Sequence, residues 1–225
     1  MTGILSSITI ILPITKFLSL SKFIALEIDD NAVKIGEEIM KLHLGCGDVR
    51  IDGYVNIDKN ALLSPDVIDD IRQLEQFNTN TISVIYICHT LEHLTRFQYS
   101  SALKRWYQLL KKGGVLRISV PDMENLCKYY IETGDLNLIR GTLYGGQDYK
   151  ENFHHWGWDF NELSKDLEHA GFKEIKRYDW QKTEHSNVKD GSCDHLPRHD
   201  KNGNELSDEE WFKGKLVSLN VEAIK

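Results

Sequence analysis

The sequence predicts a doubly wound α/β fold, and three observations carry that prediction. Strand-like and helix-like patterns alternate along most of the chain, the order that stacks helices against a largely parallel sheet. Residues 82–88 (Ile-Ser-Val-Ile-Tyr-Ile-Cys) form a nearly unbroken apolar run, as expected of a strand covered on both faces. A buried strand over residues 41–44 runs directly into the turn Gly45-Cys46-Gly47, where bare backbone can approach a ligand closely.

The elements follow in order. Residues 41–44 make the first strand and residues 53–57 the second, which ends at Asp58; the link between them leaves room for only about one helical turn. Residues 66–69 make the third strand and residues 82–88 the fourth. Helical periodicity runs over residues 97–111 through Phe97, Leu103, Trp106, Leu109 and Leu110. Lys111-Lys112-Gly113-Gly114 is read as the end of that helix, with late positive charge and a glycine stop. Residues 115–120 give a fifth strand, closed by Pro121. Helices over about 122–132 and 135–143 precede an aromatic, glycine-rich loop at 144–158. Asn161 to Ala170 is helical and stops at Gly171, and strands near 172–179 and 215–223 complete the sheet. The stretch 181–210 is rich in Asp, Asn, Gly and His and reads as a long surface loop.

At 225 residues the chain fits one domain with room for a full core. A net charge of −7 argues against a general nucleic-acid binder, which needs a basic face. Cys46, Cys88, Cys127 and Cys193 are scattered and form no C-x-x-C pair, which points to a reducing, cytoplasmic setting without a disulfide framework. Residues 1–39 differ in character from the rest. Their apolar run, residues 4–14, is shorter than the ~20 residues that span a bilayer. They read as an N-terminal extension, either packed or in contact with a membrane surface or a partner copy, ahead of a domain over residues 40–225.

A lone G-x-G is weak evidence, but its surroundings sharpen it. The dinucleotide fingerprint needs a third small residue where this chain has Arg50, and it places its acid roughly 20 residues on. Here Asp58 follows Gly45 by 13 residues. A nucleoside cofactor without a pyrophosphate relaxes both demands. The carboxylate of Asp58 can then accept hydrogen bonds from two ribose hydroxyls.

The chain resembles the class I S-adenosylmethionine-dependent methyltransferases, closest to a small group associated with polysaccharide and cell-surface glycan synthesis. The matching pieces are Leu42-His43-Leu44-Gly45-Cys46-Gly47, Asn56-Ile57-Asp58, Ile68-Asp69-Asp70-Ile71, Leu91-Glu92-His93-Leu94, Lys112-Gly113-Gly114-Val115-Leu116, Val120-Pro121-Asp122, Tyr144-Gly145-Gly146-Gln147 and Phe153-His154-His155-Trp156-Gly157. The resemblance implies a mostly parallel seven-stranded sheet, the Rossmann-like methyltransferase fold, in the order 3-2-1-4-5-7-6 with the last strand antiparallel. It implies S-adenosyl-L-methionine as cofactor. Gly45, Cys46 and Gly47 would face its methionine part, Asp58 its ribose, Asp70 and the Ile71 backbone its adenine, and His89 would line the pocket near the methionine tail. Related chains often carry an acid where this one has Ser83, a position that supports the fold.

The loop from Tyr144 to Asp159 is the expected acceptor site, with Tyr144, Gln147, Trp156 and Trp158 as substrate contacts. Aromatic planes suit the apolar faces of sugar rings, and polar groups suit hydroxyls. A hydroxyl nucleophile must lose its proton, and histidine is the usual base. His154, at the family's Phe-His position, is the expected base, with His155 or Asp122 as the alternative. The resulting expectation is an O-methyltransferase for a sugar hydroxyl, with methylation of another small metabolite or a non-catalytic cofactor-binding module as alternatives. No metal is expected. A rival reading is that His89-Thr90-Leu91-Glu92-His93 matches H-x-x-E-H, in which two histidines four apart on a helix grip zinc while Glu92 polarises water. Cys193-Asp194-His195 with His199 is a looser grouping, read as part of the solvated loop.

Overall fold

The computed structural model describes residues 39–225, so the expectations for the N-terminal extension, Ile39 apart, lie outside the described residues. Along the chain come β1 (Met40–Leu44), β2 (Val55–Asp58), β3 (Val67–Ile68), β4 (Ile82–Cys88), α1 (Arg96–Leu109), β5 (Leu110–Pro121), α2 (Met123–Thr133), α3 (Asn137–Tyr144), α4 (Phe160–Ala170), β6 (Lys173–Arg177), β7 (His195–Leu196), α5 (Asp208–Trp211), β8 (Lys215–Leu216) and β9 (Ser218–Ile224). Seven of the strands form one sheet in the order β3-β2-β1-β4-β5-β9-β6, with β9 antiparallel to both neighbours. This is the Rossmann-like methyltransferase order. It sets β1 beside β4 where the strand order reverses, the place at which open α/β sheets bind ligands beyond their carboxyl ends.

The two faces of the sheet are covered differently. Successive side chains of a strand point to opposite faces, and β4 divides accordingly. Ile85 and Ile87 join a core with Leu103 and Trp106 of α1 and Leu163 and Leu167 of α4. Val84, Tyr86 and Cys88 pack instead with Ile51, Tyr54 and Val188. The short β1–β2 and β2–β3 links supply no long helix for that second face. The segment 180–195 takes the place of one. Tyr86 Oη donates to Asp190 Oδ2 (2.7 Å), its ring lies 4.3 Å from that of His185, and Asn220 Nδ2 donates to Ser192 O (2.8 Å).

The stretch 181–210 is therefore a surface loop only in part: residues 197–210 are mostly exposed, as expected from composition, but residues 185–196 pack against the sheet. Cys193 is wholly buried, His185, Ser192 and His195 nearly so, and β7 pairs with β8. Several of its polar side chains bond to one another and to the sheet, and composition alone does not reveal this.

A second expectation also fails. α1 ends at Leu109, and Lys111-Lys112-Gly113-Gly114 belongs to β5. Gly113, at φ +76°, donates its N–H to Lys225 O (3.0 Å), and Gly114 O accepts from Lys225 N (2.9 Å), so the glycines bend a strand rather than stop a helix. The stop of α4 is as read, at Gly171 (φ +108°), and Asp159 caps its start through the N–H of Glu162 (2.8 Å).

Candidate active site

The bend after β1 is held from beneath. The N–H of Cys46 continues the parallel pairing by donating to Ile57 O (3.0 Å). Gly45 and Gly47 have φ of +62° and +57°, a region that L side chains disfavour. The two glycines serve different ends. A Cβ on Gly45 would lie 2.3 Å from Thr90 Cγ2, so that glycine admits the β4–α1 connection. A Cβ on Gly47 would meet no described atom within 4 Å, so that side of the bend faces open space. Asp58 stands beside it: Oδ2 accepts from Gly47 N–H (3.0 Å) and Oδ1 from Asn60 N–H (2.8 Å). Arg50, the residue that excludes the dinucleotide fingerprint, clamps the turn by donating to Gly47 O (2.9 Å), Val49 O (2.8 Å) and Leu63 O. Cys46 is buried, 3.3 Å from Arg50 Nη1, and burial pushes its thiol up to about 11.

Sequence reasoning missed the post beneath this bend. Buried Asn56 takes the N–H of Ile51 (3.0 Å) and meets His43 Nδ1 (3.0 Å) at Oδ1, while its Nδ2 donates to Asp66 Oδ2 (2.8 Å). A polar residue between two strand hydrophobics was the available signal.

Asp70 follows β3 but is engaged by Arg72, whose Nε donates to Oδ1 (2.9 Å); that hydrogen bond holds its carboxyl below the ordinary range. Ile71 is nearly buried, and its carbonyl accepts from Trp106 Nε1 (2.7 Å). Ser83 is buried, with its hydroxyl unpaired among the described residues.

The β4–α1 connection brings three more groups to the sheet edge. His89 holds φ +43°, and its Nε2 meets Ser218 Oγ at 2.7 Å. Burial, then the nearby His154, pushes its imidazole down to about 4. Residues Leu91–His93 are a single 3-10 turn, not the α-helix that H-x-x-E-H requires to place its histidines on one face. Glu92 is fully buried, and neither carboxyl oxygen has a hydrogen-bond partner among the described residues. Burial pushes its carboxyl up to about 8. His89 Nδ1 lies 3.5 Å and His154 Nε2 4.0 Å from Glu92 Oε1.

The 144–158 loop folds back onto this turn. His155 N–H donates to Glu92 O (2.8 Å), and His154 N–H to Tyr144 O (3.1 Å). The His154 ring points inward: Nδ1 meets Thr142 O (2.9 Å), the His93 ring is 4.8 Å away, and burial followed by His93 pushes its pKa down to about 4. His155 is exposed. Of the expected acceptor contacts, Tyr144, Trp156 and Gln147 are solvent-facing, and Trp156 lines a groove of about 380 Å³ with Arg96, Tyr99, Lys104 and Asp166.

Two expectations are corrected here. Trp158 is 1% exposed, donates Nε1–H to Asp166 Oδ2 (2.9 Å) and packs edge-on against Tyr99, so it belongs to the core. Asp122 is fully buried: Oδ1 caps α2 through the N–H groups of Glu124 (3.1 Å) and Asn125 (3.3 Å), and Oδ2 pairs with Arg177 Nη1 (3.1 Å). It is a structural cap and not a free base.

A family model described as a methyltransferase domain matches residues 22–118. This match spans β1 to β5, including the bend, Asp58 and the Glu92 turn. Over residues 22–118 the chain is similar to a methyltransferase domain. S-adenosylmethionine is its methyl donor. The fold agrees with solved structures of S-adenosylmethionine-dependent methyltransferases. One from Archaeoglobus fulgidus is 18% identical over 84% of this chain and 87% of its own, with a TM-score of 0.50. One from Methanosarcina mazei is 16% identical over 84% and 93%, with a TM-score of 0.50. No curated protein sequence matches the chain. The methyltransferase's own residues fit the donor: the bend is bare on the Gly47 side, and the acid capable of holding a ribose is fixed at its lip.

Among the described residues, no helix is long and apolar enough to cross a membrane.

Proposed function

We propose that this methyltransferase modifies a hydroxyl of a sugar, in a glycan or a sugar nucleotide, bound against the 144–158 loop. The observation that carries the reading is that loop's composition and attachment. It exposes Tyr144, Tyr149 and Trp156 to solvent, while the N–H of His155 anchors it to the Glu92 turn beside the glycine bend. Flat aromatic surfaces and neighbouring amide and imidazole groups suit a ligand that is apolar on its ring faces and polar around its rim. The sugar assignment also draws on the motif resemblance, which is fold-level analogy.

When bound, the donor supplies a methyl group already activated for in-line displacement. The protein's own contribution is alignment, exclusion of water and removal of the acceptor's proton. Gly45 and Gly47 keep the bend open, Asp58 orients the ribose and the loop positions the acceptor. His154 is the candidate base. Its Nδ1–H is committed to Thr142 O, which leaves the lone pair on Nε2, and its lowered pKa keeps the ring neutral near pH 7. A proton arriving on Nε2 would stand 4.0 Å from Glu92 Oε1. His155, exposed and one residue away, is the alternative.

Incubation with the donor and a panel of saccharides and sugar nucleotides, read by mass spectrometry, tests the acceptor. A product one methyl heavier supports the reading; transfer to amines or other small metabolites only, or donor binding without turnover, overturns it. His154→Ala should lower turnover by about 10²–10⁴-fold while S-adenosylhomocysteine affinity stays near wild type. Equal loss of both would remove His154 from the role of base.

A further inference from the structure

We propose that Glu92, His93 and His154 form a binding site for a divalent first-row transition-metal ion, which fastens the 144–158 loop to the β4–α1 connection beside the glycine bend.

The geometry is that of three convergent ligands. One ligating atom from each of the three residues lies within 4.8 Å of the others. Ligands about 2.0–2.2 Å from a zinc ion stand roughly 3.3–3.6 Å apart, so the cluster closes by small side-chain rotations. Glu92 is the stronger sign. It is wholly buried between Leu91 and the histidines, with both oxygens lacking hydrogen bonds among the described residues. Buried charges are ordinarily paired or bound to a metal, and Glu92 has no hydrogen-bonded arginine or lysine to answer it. His89 flanks the carboxyl at 3.5 Å without reaching hydrogen-bond distance.

The histidines are set up in the same sense. His93 Nδ1 meets Phe153 O (3.2 Å) and His154 Nδ1 meets Thr142 O (2.9 Å). Donation of Nδ1–H to a backbone carbonyl fixes the neutral tautomer with its lone pair on Nε2, the outer-shell arrangement of metal-bound histidine. Two imidazoles and one carboxylate suit Zn²⁺, Fe²⁺ or Mn²⁺ rather than Ca²⁺ or Mg²⁺, which prefer all-oxygen shells. Three protein ligands leave a position open for water or an acceptor oxygen.

This is not the H-x-x-E-H arrangement. The 3-10 turn separates His89 from His93, Glu92 ligates instead of acting as base, and the third ligand comes from a loop 61 residues downstream of His93. The cluster lies close to the donor cleft, since Thr90 Oγ1 donates to Gly45 O (3.3 Å). Occupation would also change how the acceptor's proton is handled, because a hydroxyl on the ion is acidified there and Nε2 of His154 is no longer needed as base. Metal binding itself does not depend on the acceptor being a sugar.

Metal analysis of the purified full chain, and calorimetric titration of chelator-treated protein with Zn²⁺ and with Mn²⁺, test the site. One equivalent bound per chain is expected, with a rise in Tm. Glu92→Gln and His93→Ala should each weaken binding by at least about tenfold, while His199→Ala in the 181–210 stretch leaves it unchanged. Because Glu92 is buried without a partner, Glu92→Gln should not lower the Tm of the metal-free protein, yet it should abolish the rise on adding metal. Failure to bind either ion, or unchanged affinity in both ligand variants, would overturn the site. Neither result would bear on the sugar assignment, which the acceptor panel reads separately.

Discussion

At the scale of single residues, the account separates glycines by what they make room for. Gly45 has a neighbour where its side chain would be, and Gly47 has none. Both hold positive φ, a conformation that costs an alanine roughly 1–2 kcal/mol. Gly45→Ala should therefore lower Tm more than Gly47→Ala, because it adds overlap with Thr90 to the backbone cost. Gly47→Ala should show its larger effect on the donor, since the new methyl enters the open side of the bend. Thermal unfolding with and without S-adenosylhomocysteine checks both. Wild-type ligand stabilisation in Gly47→Ala would contradict this assignment. The residues hardest to foresee were those whose partners are remote in sequence. Glu92 could be quoted from a motif, but nothing local showed that His154 would be beside it. In the sequence Asp122 reads as an alternative base, but Arg177 and the first turn of α2 occupy both of its oxygens.

At the scale of elements, the informative feature is the coil that stands in for a helix layer. Glu184 ties it to the sheet: it accepts from Lys41 Nζ (2.9 Å), Tyr54 Oη (2.8 Å) and Arg117 Nη1 (2.5 Å). Burial raises its carboxyl pKa, but hydrogen bonds from Lys41, Arg117 and Tyr54 outweigh this and hold it well below the ordinary range. A folded pKa below the unfolded value of about 4.3 gives stability that is present above pH ~4.3 and fades as pH falls toward the folded value. Glu184→Gln should accordingly lower Tm at pH 7, with the gap from wild type beginning to narrow below about pH 4 and closing only as pH approaches the lower folded value. A Tm difference that stays constant over this range would show that the carboxylate's charge is not what joins the coil to the sheet. Strands covered on both faces, such as β4, were legible residue by residue because their apolar runs reflect burial directly. The packed part of the 181–210 coil was not, because a polar segment bonded to a sheet has the composition of a solvated loop. Likewise, glycines after a helix mean a stop only when the chain leaves the structure there, and at Gly113 it enters the sheet instead.

At the scale of the whole molecule, strand order and connection length decide where the chemistry lies. The order β3-β2-β1-β4-β5-β9-β6 gathers the bend after β1, the acid after β2 and the turn after β4 at one edge. The 144–158 loop is drawn to the same edge by the His155–Glu92 backbone bond. The fold was readable in the sequence because it depends on short, ordered motifs, and the same motifs supplied the bend and Asp58 proposed to hold the donor. The buried cluster was not, because it depends on a loop returning across two helices.

The central claim is that the bare glycine bend with Asp58 at its lip holds the donor's nucleoside. The most direct measurement is calorimetric titration of wild type and Asp58→Ala with S-adenosylhomocysteine. The account predicts one site per chain and an affinity loss of about 10–150-fold in the variant, the cost of a charge-assisted hydrogen bond worth roughly 1.5–3 kcal/mol. Equal affinity in the two proteins, or no binding heat in wild type, would contradict it.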